Sequence, residues 1–261
     1  MITDINKQTP IEKSGNLYFK RDDYFIVNGA GGGKSRSCLY LATELNKDNK
    51  DLVTAGSRLS PQINIVSKIA EHLGLKSYAH CPSGELSDVL NDAVKHGINL
   101  VRHKVGYNNV IIKRAKDDCL DNDRFYIPFG MECEEAVNQT AGQVKDIPTD
   151  VKRIIIPVGS GMSLAGVLTG LVDNNIKIPV LGVVTGADPT KRLDKYAPVF
   201  WRTMMTFAKS ELDYHKKVVD NVLNGINLDP IYESKCIPFV KDGDLFWIVG
   251  NRKNSGLKER K

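Results

Sequence analysis

The feature that most constrains the fold is a regular alternation of strand-like and helix-like segments along the 261 residues. Short apolar runs rich in β-branched residues predict strands at residues 51–54, 77–80, 99–101, 125–127, 153–158, 180–184 and 246–249. Apolar residues recur at helical spacing in residues 61–73 and 85–96. Strands that alternate with helices favour an α/β protein with largely parallel, twisted sheets flanked by helices.

A glycine run ends in Lys34, within the segment Asn28-Gly29-Ala30-Gly31-Gly32-Gly33-Lys34-Ser35-Arg36. It follows an apolar segment and precedes a helix-like one, so the lysine amine has a fixed position beside a loop of backbone N–H groups. The arrangement suits a phosphate-binding loop for a nucleotide, or a lysine that forms a Schiff base with a cofactor aldehyde. The motif G-x-x-x-x-G-K-[ST] needs glycine six positions before the lysine, where this chain has Asn28, and this disfavours the nucleotide.

A second glycine-rich turn favours the Schiff-base alternative. Gly159, Ser160, Gly161, Met162 and Ser163 follow a β-branched strand and open a helix-like segment. Such a turn directs several N–H groups and the positive end of a helix at one point, and so binds phosphate without a basic residue. The alternative is a tight turn that uses glycine only for backbone freedom. Because pyridoxal 5′-phosphate needs both a reactive lysine and a separate phosphate cup, we predict this cofactor.

Six segments, in the right order, resemble the pyridoxal-phosphate enzymes related to aminocyclopropane-carboxylate deaminase and D-cysteine desulfhydrase, within the tryptophan-synthase-β-like superfamily. They are Thr9-Pro10-Ile11-Glu12 with Lys20-Arg21-Asp22-Asp23, Gly32-Gly33-Lys34-Ser35-Arg36, Ala55-Gly56-Ser57-Arg58-Leu59-Ser60-Pro61-Gln62, Tyr126-Ile127-Pro128-Phe129-Gly130, Gly161 to Gly166, and Asp229-Pro230-Ile231-Tyr232-Glu233-Ser234-Lys235. The resemblance implies a two-lobed enzyme of fold type II that forms a homodimer. Residues 1–49 and 124–261 would form the larger, cofactor-binding lobe and residues 50–123 a smaller inserted lobe. The cofactor would lie between the lobes, at the carboxyl ends of the strands.

The resemblance also implies how the cofactor is held. Lys34 would form the Schiff base, Gly159 to Ser163 would bind the phosphate, and Glu233 would face the pyridine nitrogen. A carboxylate there keeps the nitrogen protonated and makes the ring a strong electron sink for a carbanion at Cα. The implied function is therefore a lyase that cleaves a bond at Cα of an amino acid through an external aldimine and a quinonoid, as in deamination or desulfhydration.

On the substrate side, the resemblance makes Ser60 a nucleophile or proton carrier with Tyr232 beside it, and Ser60 and Gln62 substrate-binding residues. The chain departs from the family pattern at Pro61, where asparagine is usual, so one donor to the substrate is missing. The segment between Asp188 and Asp229 is also shorter than the family commonly has. We expect a more open pocket, which would admit an amino acid attached to something larger.

Charge leaves two kinds of substrate open. The net charge is +5, and basic residues concentrate in the C-terminal part, namely Lys191, Arg192, Lys195, Arg202, Lys209, Lys216, Lys217, Arg252, Lys253, Lys258, Arg260 and Lys261. Such a surface attracts polyanions, and Phe200, Trp201 and Trp247 could stack on bases, although solvated helix faces and core aromatics explain the same residues. The alternative to a small free amino acid is amino-acid-modified DNA, because phage relatives of the family are thought to process, and in some cases decarboxylate, amino acids carried on DNA pyrimidines.

Composition excludes several other classes. The five cysteines are scattered without paired spacing, which disfavours a disulfide framework or a metal site. The first residues are polar and no apolar run is long enough to span a membrane, so we expect a cytoplasmic protein without membrane contact. A non-catalytic cofactor-binding protein is disfavoured because Lys34, Ser60, Tyr232 and Glu233 are all retained.

Overall fold

The computed structural model describes residues 4–104, 107–214 and 216–250. They divide into two compact units. The first unit is built from Ile26–Cys133 with residues 4–5, and the second from Asn6–Phe25 with residues 134–250. Each unit has its own sheet with parallel strands, which confirms the α/β class. The lobe boundaries at residues 50 and 123 stay a prediction.

The described elements are as follows in chain order. The strands are β1 (Ile11–Ser14), β2 (Leu17–Arg21), β3 (Ile26–Val27), β4 (Ala30–Gly31), β5 (Leu52–Ala55), β6 (Ser77–Pro82), β7 (Ile98–His103), β8 (Phe125–Ile127), β9 (Arg153–Val158), β10 (Val180–Val184), β11 (Met205–Lys209), β12 (Val222–Leu223), β13 (Ile226–Asn227) and β14 (Asp244–Ile248). The helices are α1 (Gly33–Tyr40), α2 (Pro61–Leu73), α3 (Asp88–Lys95), α4 (Asn108–Asp121), α5 (Glu134–Ala141), α6 (Met162–Asp173), α7 (Thr190–Tyr196) and α8 (Trp201–Met204).

The first unit contains a four-stranded sheet in the order β7-β6-β5-β8, in which all strands are parallel. Side chains alternate between its two faces, because successive residues of a strand point in opposite directions. Ala79 and Cys81 of β6 pack against α2 and α3, whereas Val53 and Ala55 of β5 pack against α4. Helix α2 has the bounds that its apolar spacing predicts, and α3 begins three residues later than the predicted helix.

The second unit contains a six-stranded sheet in the order β1-β2-β14-β9-β10-β11. Strand β1 is antiparallel to β2, and the other neighbours are parallel. The central strand β9 is apolar on both faces because both are covered: Ile154 and Ile156 pack towards α6, and Ile155 packs against the segment that contains Leu228 and Cys236.

Two tryptophans that the sequence offered for base stacking lie in this core. Trp247 of β14 and Trp201 of α8 are 0% and 4% exposed, and both belong to the cluster around α6. The stacking role is therefore wrong for both, because a ligand cannot reach the rings. Phe200, by contrast, is 53% exposed. The basic residues from Arg252 onward lie outside the described residues. Within the described ranges, every helix is too short or too polar to cross a membrane.

Helix α6 follows the strand β9 and packs closely on α5 through two glycines. A methyl group at Gly166 would lie 2.8 Å from the carbonyl oxygen of Val137 and would also overlap Thr140. At Gly170 it would lie 2.6 Å from the carbonyl oxygen of Ala141. In each case one of these neighbours is a backbone carbonyl oxygen, which cannot move aside easily. The glycines thus set the distance between the two helices, and with it the position of the N-terminus of α6.

We predict that Gly170→Ala destabilises the protein, although alanine is the better helix former. Overpacking against a fixed carbonyl should lower the free energy of unfolding by about 2 kcal/mol. Urea unfolding followed by circular dichroism measures this change. Thr169→Ala, one residue away on the same helix and half-buried, is the control and should change stability by less than about 0.5 kcal/mol. An unchanged midpoint for Gly170→Ala would contradict the close packing.

Candidate active site

The carboxyl ends of five parallel strands meet at one edge of the sheet in the second unit. They belong to β2, β14, β9, β10 and β11. Beyond β9 and β10 the ladder continues, because Thr185 N donates to Val158 O at 2.9 Å and Ser210 N donates to Val184 O at 3.2 Å. Open α/β sheets bind ligands at such an edge. The residues that follow these strand ends are therefore the candidates for a site.

The glycine turn after β9 has no room for side chains. Gly161, with φ of +93°, is the residue before α6, and a methyl group there would lie 2.9 Å from Pro189 Cβ. A methyl group at Gly159 would lie 2.8 Å from the ring of Tyr232. Backbone N–H groups at the start of a 12-residue helix thus stay uncovered by side chains of their own. This is the geometry that a phosphate requires.

The segment 229–235 is shaped by Asp229. Its carboxylate accepts hydrogen bonds from Ile231 N at 2.8 Å and Tyr232 N at 3.0 Å, and its carbonyl accepts from Ser234 Oγ at 2.8 Å. This turn places the Tyr232 ring against Gly159 and directs the next side chain, Glu233, into the protein.

Glu233 is fully buried beside the same sheet edge. Its Oε1 accepts a hydrogen bond from Gly250 N at 3.2 Å, and Gly250 follows β14 by two residues. Its Oε2 is buried and has no hydrogen-bond partner among the described residues. Burial, and then the neighbouring carboxylates of Asp229 and Asp23, raise the pKa of Glu233 well above its ordinary value.

A buried carboxyl group with one vacant oxygen needs a donor or a positive charge. The protonated pyridine nitrogen of pyridoxal 5′-phosphate would supply both, so Glu233 fits the role that the sequence predicts for it. The glycine turn fits the phosphate of the same cofactor, because a side chain would fill the cradle. Within the second unit, the structure therefore brings Glu233, Tyr232 and the glycine turn to one edge of one sheet.

The sequence reasoning missed a second tyrosine at this edge. Tyr214 Oη and Tyr232 Oη are 2.7 Å apart, and the two rings meet edge to face with centroids 5.7 Å apart. Tyr214 also lines an open cleft of about 450 Å³ at the carboxyl ends of β10 and β11. Its lining residues are Val184, Thr185, Gly186, Lys209, Ser210, Glu211, Leu212, Asp213 and Tyr214. No local pattern marks Tyr214 in the sequence, because the strand order alone brings its loop beside Tyr232.

In the first unit, Lys34 stands near the start of α1. The glycine run does not follow a strand of the four-stranded sheet. It belongs to a hairpin of β3 and β4, two strands of two residues each, with Asn28 (φ +47°) and Gly29 (φ +76°) at its turn. Asn28 Nδ2 donates to Glu71 Oε2 at 2.6 Å and to Lys68 O at 3.1 Å, which fixes the turn to α2. A hairpin in place of a sheet strand also argues against a nucleotide-binding loop, whose fold runs from strand to helix.

Ser60 caps the N-terminus of α2 in the same unit. Its hydroxyl accepts a hydrogen bond from Gln62 N at 3.3 Å, and Pro61 occupies the first helical position, where a missing N–H costs nothing. The side chain of Gln62 is buried: its amide donates to Thr54 Oγ1 and Pro128 O, both at 2.8 Å, and its Oε1 accepts from Gly130 N at 2.6 Å. These bonds hold the start of α2 against the ends of β5 and β8. The catalytic and substrate-binding roles of Ser60 and Gln62 stay predictions.

The fold and these sites define a class of protein. A family model described as pyridoxal-phosphate dependent enzyme matches residues 2–218, and the chain belongs to this family. Its cofactor is pyridoxal 5′-phosphate. The described part of the chain contains no cluster of His, Cys, Asp and Glu that could hold a metal ion.

Two curated relatives and one solved structure are similar to this chain. It is 28% identical over 200 residues to the O-seryl-dTMP PLP-dependent decarboxylase of Salmonella phage ViI, a match that covers 63% of this chain and 47% of that protein. It is 24% identical to a probable 1-aminocyclopropane-1-carboxylate deaminase of Schizosaccharomyces pombe, over 67% of this chain and 58% of that one. The chain thus spans about half the length of the curated relatives it matches. The crystal structure of an ACC deaminase homologue superposes with a TM-score of 0.81 at 21% identity, covering 95% of this chain and 91% of that one.

We predict that burial of Glu233 makes the apoprotein less stable as the pH rises. Because the folded state raises its pKa, the group is protonated in the folded state and ionised in the unfolded state above a pH of about 4.3. Its contribution to stability is therefore present below that pH and is lost as the pH rises towards the folded pKa. Glu233→Gln, which stays neutral, should gain stability relative to wild type between pH 4 and pH 8.

Urea unfolding of both apoproteins across this pH range measures the effect. Glu85→Gln, on an exposed side chain, is the control and should follow wild type at every pH. A constant difference between Glu233→Gln and wild type would show that Glu233 is ionised in the folded apoprotein.

Proposed function

We propose that the protein is a pyridoxal-phosphate-dependent lyase that cleaves a bond at Cα of an amino-acid substrate. The observation that carries this proposal is the fully buried carboxyl group of Glu233, whose Oε2 has no hydrogen-bond partner among the described residues. A carboxyl group opposite the ring nitrogen suits reactions that develop a full negative charge at Cα. Family members that are deaminases or decarboxylases by name support the same class.

Each residue then has a defined task. Lys34 supplies the amine that holds the cofactor covalently and moves the proton at Cα. The amides from Gly159 to Ser163 hold the phosphate, and Glu233 keeps its charge opposite the ring nitrogen. When bound, pyridoxal phosphate supplies the electron sink for the carbanion.

The substrate-side tasks belong to Ser60, Gln62 and Tyr232. The Ser60 hydroxyl meets the substrate as nucleophile or proton carrier, and the buried bonds of Gln62 keep the start of α2 in place. The hydroxyl oxygen of Tyr232 lies 2.7 Å from that of Tyr214, and this hydrogen bond orients the hydroxyl proton of Tyr232. We also propose a homodimer in the cytoplasm, for which light scattering after gel filtration provides the test of the oligomeric state.

A second candidate function is decarboxylation of an aminoacyl group carried on a DNA pyrimidine. The specific observation in its favour is the 28% identity to a decarboxylase named for O-seryl-dTMP. The open cleft beside Tyr214 supports it, because about 450 Å³ exceeds the space that a small amino acid needs.

We predict that the purified holoprotein is yellow and that Lys34→Ala loses the visible absorbance of the covalently held cofactor. Borohydride reduction followed by peptide mapping should place the pyridoxyl group on Lys34. Lys47→Ala, on an exposed side chain of the same unit, is the control and should retain the absorbance. A pyridoxyl group on another lysine would overturn the assignment.

The activity test compares free serine, cysteine and aminocyclopropane-carboxylate with O-seryl-dTMP, free and within DNA. Release of ammonia or pyruvate from a free amino acid supports the lead function, and release of carbon dioxide from the modified nucleotide alone supports the second. For either, Glu233→Gln should retain cofactor but lower the rate by about 100-fold or more, because the charge opposite the ring is lost. Full turnover by this variant would remove Glu233 from the site.

A further inference from the structure

The cleft beside Tyr214 continues into an exposed basic surface that the lyase chemistry does not use. Residues 188–209 contain five cations, Lys191, Arg192, Lys195, Arg202 and Lys209, against two carboxylates, Asp188 and Asp194. Asp194 is engaged by Arg202 at 2.7 Å, and Asp188 accepts bonds from Thr190 at 2.6 and 2.9 Å. Lys195 donates to Tyr196 Oη at 2.8 Å, and the cleft lining adds Glu211 and Asp213. Residues 188–209 by themselves carry more cations than carboxylates, and a basic segment of this kind attracts polyanions.

Lys209 connects this surface to the cleft. It is the last residue of the edge strand β11 and one of the cleft-lining residues. The cleft in turn adjoins the glycine turn, because a methyl group at Gly186 would lie 3.4 Å from Gly159 O. Tyr214, which lies against Tyr232, lines the same cleft. A substrate whose amino-acid end lies beside Tyr232 can thus extend through the cleft and leave it beside Lys209.

Two phenylalanines are exposed on the same surface. Phe200 is 53% and Phe207 41% exposed. Phe207 shares a strand face with Lys209, since alternate residues of β11 point the same way. Its ring packs edge to face on the buried Trp201 with centroids 5.9 Å apart, and Trp201 Nε1 donates to Asp194 at 3.1 Å. The ring is therefore held in place while part of it stays open to solvent, where another ring can stack on it.

We propose that this surface, which comprises Lys191, Lys195, Phe200, Phe207 and Lys209, binds single-stranded DNA that flanks a nucleotide held in the cleft. Lysines that track a backbone beside aromatic rings that stack on bases are the chemistry of single-strand binding, and paired bases cannot reach such rings. The inference rests on the second candidate function and adds the part of the protein that recognises the strand.

The test measures binding of the holoprotein to a fluorescent 12-residue thymidine oligonucleotide by anisotropy, across a salt series, and to a duplex of the same length. Lys209→Ala should lower the slope of log affinity against log salt by about 0.7. Phe207→Ala should weaken binding about tenfold without changing the slope. Phe207→Tyr, which keeps a ring, should bind the oligonucleotide as tightly as wild type. Lys177→Ala is the matched control, because this exposed lysine precedes β10 at the opposite edge of the same sheet.

Tighter binding of the single strand than of the duplex, with losses in Lys209→Ala and Phe207→Ala but not in Lys177→Ala, is the expected result. Absence of binding at about 0.1 M salt overturns the inference, as does an equal effect of Lys177→Ala, which would indicate attraction by net charge alone. Equal affinity for the duplex, or no loss in Phe207→Ala, overturns the stacking. Cofactor absorbance and release of carbon dioxide from O-seryl-dTMP within DNA are measured on the same wild-type samples. Absence of both, with strand binding intact, would instead refute the proposed function.

Discussion

A fully buried carboxyl group that lacks one hydrogen-bond partner costs folding free energy, and the second unit is arranged to hold such a group. Gly250 N, just past β14, bonds one oxygen of Glu233, and Asp229 shapes the turn that directs the side chain inward. Asp229 and Asp23 add further negative charge nearby. An isolated protein gains nothing from this concentration of carboxylates, whereas the cationic ring nitrogen that we propose as the partner of Glu233 would satisfy it. The bound cofactor would then contribute stability as well as chemistry.

Two pairs of glycines allow close packing around the turn after β9. At Gly159 and Gly161, the absence of a side chain lets the Tyr232 ring and Pro189 approach the turn and leaves amides open for a phosphate. At Gly166 and Gly170, it lets α6 approach α5. The first pair shapes the turn that we propose as the phosphate site, and the second pair determines the position of α6, which begins at this turn. Stability and binding thus depend on one strand–turn–helix segment.

The same sheet edge also borders the open cleft, whose size bears on which substrates the protein can bind. Tyr214 contacts Tyr232 on one side and lines the cleft on the other, so the same residue borders both Tyr232 and the open space beyond it. Lys209 then borders that space and the exposed basic surface. An unbroken series of residues leads from the glycine turn to Phe207, which a free amino acid would leave mostly unused.

The sequence by itself determined the features that depend on neighbours along the chain: the α/β alternation, the bounds of α2 and the glycine turn after β9. Local spacing and backbone freedom suffice for these. The segment that contains Glu233 was singled out only by its resemblance to a known family. The tertiary structure alone decided the rest, because the strand order β2-β14-β9-β10-β11 brings together segments far apart in sequence. It buried Trp201 and Trp247, left Phe207 exposed, set Tyr214 against Tyr232, and placed Gly250 N where it donates a hydrogen bond to Glu233. Burial and cross-strand contacts are properties of the packed sheet, and no pattern within a short segment encodes them.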